Sequence, residues 1–165
     1  MPNAIATAPI DWTLCGTLTL TQCESHSPWL LLAELVADAT LLKITADGEY
    51  LPWPGFDGLS SGPSGLTGLR LSADALMLAD APPGSLIGKI GGGAVTLVGW
   101  STGTSPGIGL DGKPFGIGDL CILQVPRQIF GPVFVGVNSA ARPVRIIRLT
   151  VTLHSAIATP AAAAK

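Results

Sequence analysis

The stretch Trp12–Gln22 reads WTLCGTLTLTQ, and near the other end Val144–Leu153 reads VRIIRLTVTL. In the first, Trp12, Leu14, Leu18 and Leu20 fall on one side of a period of two, with Thr13, Thr17, Thr19 and Thr21 on the other. In the second, Ile147, Leu149, Val151 and Leu153 alternate with Arg148, Thr150 and Thr152. Successive side chains of a strand point to opposite faces, so both stretches predict half-buried strands with threonines toward solvent. Working inward, short apolar runs predict further strands at about 39–46, 66–71, 85–90, 94–99, 120–125 and 132–137. Turns at Asp47-Gly48, Asp57-Gly58, Gly91-Gly92-Gly93 and Asp111-Gly112 separate them. The segment 28–37 fits either a strand or a short helical turn. Gly and Pro, 21 and 14 residues respectively, are spread along the whole chain and exclude long helices. Short strands at this spacing predict an all-β fold, an antiparallel β-sandwich or jelly roll.

The length of 165 residues suits one domain. The pattern divides it into an extended N-terminal arm (1–11), a sandwich (12–154) and an Ala-rich tail (155–165). Only 12% of residues are charged, about half the usual share, and mean hydropathy is positive. Such a chain has little solvating surface, so either a thick sandwich buries most of it or other subunits cover part of it. The longest apolar run, Trp29 to Ala37, is broken by Glu34 and is far too short to span a bilayer. The opening MPNAIATAPIDW lacks a basic region followed by an apolar one. The expectation is a chain made in the cytoplasm and incorporated into a particle such as a virion. Cys15, Cys23 and Cys121, without C-x-x-C spacing, read as small buried hydrophobes.

The net charge of −2 conceals an asymmetry. Residues 1–80 carry nine acids against Lys43 and Arg70; residues 81–165 carry Asp111 and Asp119 against seven bases. Either the two halves interleave in one sandwich and the charges mix, or the molecule is polar and stacks head to tail with its copies.

Catalytic chemistry has few candidates. His26 and His154 have no neighbour in sequence that suggests a triad, and G-x-S-x-G is absent. Gly88-Lys89-Ile90-Gly91-Gly92-Gly93 lacks the Ser or Thr of a phosphate loop, and no metal-ligand spacing occurs. Arg127, Arg142, Arg145 and Arg148 form the one basic concentration; without interleaved aromatics they suit a subunit contact rather than nucleic acid. A non-catalytic protein without a cofactor is expected. The aromatic loop Glu49-Tyr50-Leu51-Pro52-Trp53-Pro54-Gly55-Phe56-Asp57-Gly58 leaves two readings open. Its rings could stack on the C–H face of a sugar, with Asp57 bonding hydroxyls, or Trp53 could plug the end of the sandwich.

LLKITADGEYLPWPG (41–55), GPSGL (62–66), SLIGKIGGG (85–93) and FGIGDLCILQVPRQIFGPVFVGVN (115–138) together resemble, in order, the galactophilic bacterial lectin family. The first is similar to the family's strand running into an Ala-x-Gly and an aromatic loop. The second resembles its Gly-Pro-x-Gly turn, and the third its Leu-x-x-Lys/Arg-Ile-Gly strand. The fourth resembles its Phe-x-x-Gly segment and last long strand. The resemblance implies a jelly-roll sandwich and, in the best-known members, calcium-dependent galactose binding. Here the chain departs from the family. Asn138 stands where the family has an acidic calcium ligand, and SAARPVRI follows, with Arg142 and Arg145 where oxygen ligands belong. No Asp or Glu occurs from Leu120 to Lys165. Calcium needs several oxygen ligands, and nearby guanidinium groups repel it, so no metal is expected.

Two functions follow as expectations. The first is a structural subunit of a larger assembly, such as a phage virion component, contacting its own copies or other subunits. The second is a calcium-independent carbohydrate-binding module using Tyr50, Trp53, Asp57 and Asn138 at its rim.

Overall fold

The computed structural model describes residues 9–35, 41–53, 55–56, 58–92, 112–126, 129 and 131–157. The expected strand at 94–99, the loop 101–110, residues 1–8 of the arm, the tail beyond 157, Asp57 and Arg127 lie outside the described residues.

The described residues are all-β and form a sandwich of two antiparallel four-stranded sheets. Its strands are β1 (Thr13–Ser25), β2 (Leu30–Leu35), β3 (Leu41–Leu51), β4 (Leu86–Ile90), β5 (Phe115–Gly116), β6 (Leu120–Gln124), β7 (Gly131–Val137) and β8 (Val144–Ala156). One sheet runs β1-β8-β3-β6, the other β2-β7-β4-β5. Between them lies a core built from both inner faces, including Leu42, Ile44, Leu86, Ile90, Val133, Val135, Leu149, Val151 and Leu153. All three cysteines are free thiols packed at its margin.

The period-two reading succeeds along most of β8, where Leu149, Val151 and Leu153 are buried and Thr150 is exposed. It fails at irregularities. The pairing of β1 with β8 slips between Leu14 and Gly16, which turns Cys15 inward and leaves Leu14 on the solvent face. One extra residue in a strand flips the parity of everything beyond it. Gly16 is required there because a Cβ would lie 2.7 Å from Ala33 Cβ on the opposite sheet. The register also slips between Glu49 and Tyr50, so that Ile146 joins Leu149 in the core.

Two other expectations are corrected, and one open reading is resolved. Asp47-Gly48 is not a turn but the middle of β3, paired with Thr150 and Leu149. Its glycine answers close packing, since a Cβ would meet Arg148 O at 2.7 Å. The segment 66–71 is turn and coil, not a strand, and belongs to a long excursion between β3 and β4. Within 28–37, residues Leu30–Leu35 resolve the ambiguity as a strand.

The strand order also disposes of the charge asymmetry. Strand β8, from the basic half, lies between β1 and β3 from the acidic half. Arg145 pairs in register with Glu24, and Arg148 with Glu49. Acids therefore flank the arginines, and the charges mix within one sheet.

Candidate functional site

Of the residues expected to bind ligand, Tyr50, Trp53 and Asn138 are described, and all three are buried. Tyr50, near the end of β3, is fully buried, and its hydroxyl donates to Gly62 O at 2.9 Å. Its backbone exchanges hydrogen bonds with Ser61. Burial, with the Asp119 carboxylate adding to it, pushes the phenol far above its ordinary range. Trp53 is buried as well. Of the loop's three rings only Phe56 reaches solvent, at 67% exposure. Proline on both sides of Trp53 confines the backbone, and the loop turns its larger rings toward the protein.

Asn138, just past β7, is wholly buried and its amide is saturated. Its Oδ1 accepts from Met77 N at 3.0 Å and Leu78 N at 2.8 Å. Its Nδ2 donates to Leu78 O at 2.9 Å and to Ala81 O and Pro82 O at 3.1 Å each. An amide has two donors and two acceptor sites, and all are used. This geometry explains why asparagine rather than an acid stands here: a carboxylate would turn an oxygen toward three carbonyls. Tyr50 and Asn138 are therefore corrected from surface ligand groups to internal fastenings. The partners of Asn138 lie 56 to 61 residues away in sequence, so no local pattern could announce its role.

What these fastenings hold is the excursion between β3 and β4. Tyr50 grips its start at Gly62 and Asn138 grips its end, Met77 to Pro82. There Met77, Ala81 and Leu78 pack with Trp29, Ile87 and Phe134 in a second apolar cluster. That cluster lies on the outer face of the β2-β7-β4-β5 sheet, because Leu86 and Ile90, the alternate residues of β4, belong to the central core. The same outer face holds Lys89, whose ammonium sits 4.7 Å from the Trp29 ring centroid and 5.3 Å from that of Phe134. Burial lowers the Lys89 pKa, and the ring faces offset part of that cost.

The arginines divide. Arg142 bends inward: Nη1 donates to Ser139 O at 2.8 Å and Ala141 O at 2.6 Å, and Nη2 lies 3.1 Å from Met77 Sδ. Its Nε is buried without a hydrogen-bond partner among the described residues, and desolvation lowers its pKa. A cleft beside it, between Ser25, Pro28, Gly136 and Val144, has room for about one water. Arg145 and Arg148 are exposed on the other sheet, where Arg148 pairs with Asp47.

Among the described residues no three His, Cys, Asp or Glu side chains converge as metal ligands, and no helix is long and apolar enough to cross a membrane. Compared with family models and with curated proteins, the chain matches none.

Proposed function

We propose that this chain is a non-catalytic jelly-roll subunit of a larger assembly, such as a virion or other particle component. The strand orders 1-8-3-6 and 2-7-4-5 support the winding, since eight strands divided this way are what two interlocked Greek keys produce. The observation that carries the functional reading is where apolar side chains remain outside. Leu14, Leu120 and Ile122 are exposed at 59%, 58% and 58% on the outer face of the β1-β8-β3-β6 sheet. Ile10, three residues ahead of β1, and Ile157, directly after β8, are exposed at the end of the sheet where Leu14 lies. Large apolar side chains left exposed on both edge strands of one sheet suit contact with other subunits.

Light scattering of the purified chain tests this: discrete oligomers are expected, and a monomer indifferent to concentration and salt would overturn the reading. A glycan contact, the second reading, has one observation behind it, the exposed ring of Phe56. A glycan array with Phe56→Ala as control decides it; loss of a bound sugar in the variant would favour the lectin reading over assembly alone.

A further inference from the structure

Among the described residues each sheet has two edge strands, and three of the four are irregular or short. Strand β1 slips at Gly16 and carries Gln22 with a positive φ of 48°. Strand β2 slips between Leu31 and Ala33 and bears Glu34. Strand β5 is two residues long. Bulges, charges and brevity are the devices by which proteins keep sheet edges from pairing with other chains. Strand β6, Leu120-Cys121-Ile122-Leu123-Gln124, has none of them. It holds five residues in unbroken register with β3, contains no charge and no proline, and has no strand on its other side among the described residues. Outward it presents Leu120 and Ile122; toward the core it presents Cys121 and Leu123, both only partly buried.

From this contrast we infer that β6 is a self-pairing edge, joining antiparallel to β6 of a second copy about a two-fold axis at Ile122. This deepens the assembly reading and rests on it. The charge pattern selects a copy of the same chain in this direction. About Ile122, Leu120 meets Gln124 and Cys121 meets Leu123, so no charged group enters the pair. The exposed Asp119 at the head of the strand falls opposite Val125, whereas a parallel pair would set the two Asp119 carboxylates side by side. Like charges facing across strands are destabilising. The result is an isologous contact that closes after two copies and joins their two β1-β8-β3-β6 sheets into one of eight strands. A five-residue pairing buries less than the roughly 1,000 Å² of a permanent interface, so the contact is weak and concentration-dependent.

The test is sedimentation of the full-length chain over a concentration series, as wild type, Ile122→Lys, Leu120→Lys and Leu31→Lys. Leu31 is a control, equally exposed but on the other sheet. All three positions are exposed, and a thermal melt checks that each variant folds. Wild type is expected to show a reversible monomer–dimer equilibrium. Ile122→Lys should weaken it by at least about tenfold, because two lysines then face each other across the axis; Leu120→Lys, opposite Gln124, should weaken it less, and Leu31→Lys should leave it unchanged. Amide exchange in peptides covering 120–124 should slow as concentration rises. Oligomers that ignore Ile122→Lys would overturn the edge while leaving the assembly reading intact. A wild-type chain that stays monomeric would overturn both.

Discussion

The outer faces of the two sheets have opposite fates. On the β2-β7-β4-β5 sheet, Ile87, Lys89 and Phe134 lie under Trp29 and the Met77–Ala81 segment, and every residue of β4 is buried. On the β1-β8-β3-β6 sheet, β6 alternates between exposed and half-buried, and threonines of β1 and β8 face outward. The strands themselves do not decide this. A long connection from β3 to β4 covers one face, and the fastenings that hold it are polar. The difference teaches that a sheet's second face is buried only when another segment is anchored over it, and that anchoring is done by saturating hydrogen bonds rather than by apolar contact alone.

Removing the anchor should break the contrast. Asn138→Ala removes the acceptor of the Met77 and Leu78 amides and a donor to Ala81 O, while Leu78 O keeps Ala81 N and Pro82 O keeps Ser85; each unsatisfied group costs about 1–3 kcal/mol. A loss of roughly 3 kcal/mol or more is expected by thermal or denaturant unfolding, with amides of Met77 and Leu78 losing exchange protection first. Asn138→Asp should be at least as damaging; a variant as stable as wild type would refute the clamp.

The start of the same excursion gives a pH signature. The raised pKa of Tyr50 in the folded protein means that stability is whole below the unfolded value of about 10 and is lost as pH rises beyond it. The slope is at most about 1.4 kcal/mol per pH unit. Tyr50→Phe should lower stability at neutral pH by about 1 kcal/mol, through loss of the bond to Gly62, and should flatten the alkaline limb. Parallel alkaline limbs for the two proteins would show that Tyr50 is not the group responsible.

On the bare face the smallest effect is expected. Arg148 pairs with Asp47 in full contact with water, where ion pairs contribute little and salt screens them. Arg148→Gln should leave the melting temperature unchanged in high salt. A clear drop there would mean that this face is not simply solvated.

Much of the architecture was legible in residues that repeat with a period of two. The alternation in Val144–Leu153 announced β8, and the run 132–137 announced β7 within a residue. The errors share one cause. Asp47-Gly48 reads as a turn yet sits inside a strand, and the strand reading of Trp12–Gln22 misses the bulge at Gly16, because each glycine makes room for a neighbour distant in sequence. The site was less legible for the same reason. Tyr50, Trp53 and Asn138 carry the chemistry of recognition, and nothing adjacent to them distinguishes a ring or amide aimed at a ligand from one aimed at the chain itself.

The sequence alone determined that this protein is built of strands, because alternation and the spread of glycine and proline act through local backbone geometry. It also determined the poverty of charge that leaves apolar surface to be covered. Only the tertiary structure decided which way Tyr50 and Asn138 face, that acidic and basic halves interleave, and which sheet edge is left regular and uncharged. Those outcomes depend on contacts between segments tens of residues apart, where saturation of hydrogen bonds and steric fit select one arrangement among many that the local pattern permits.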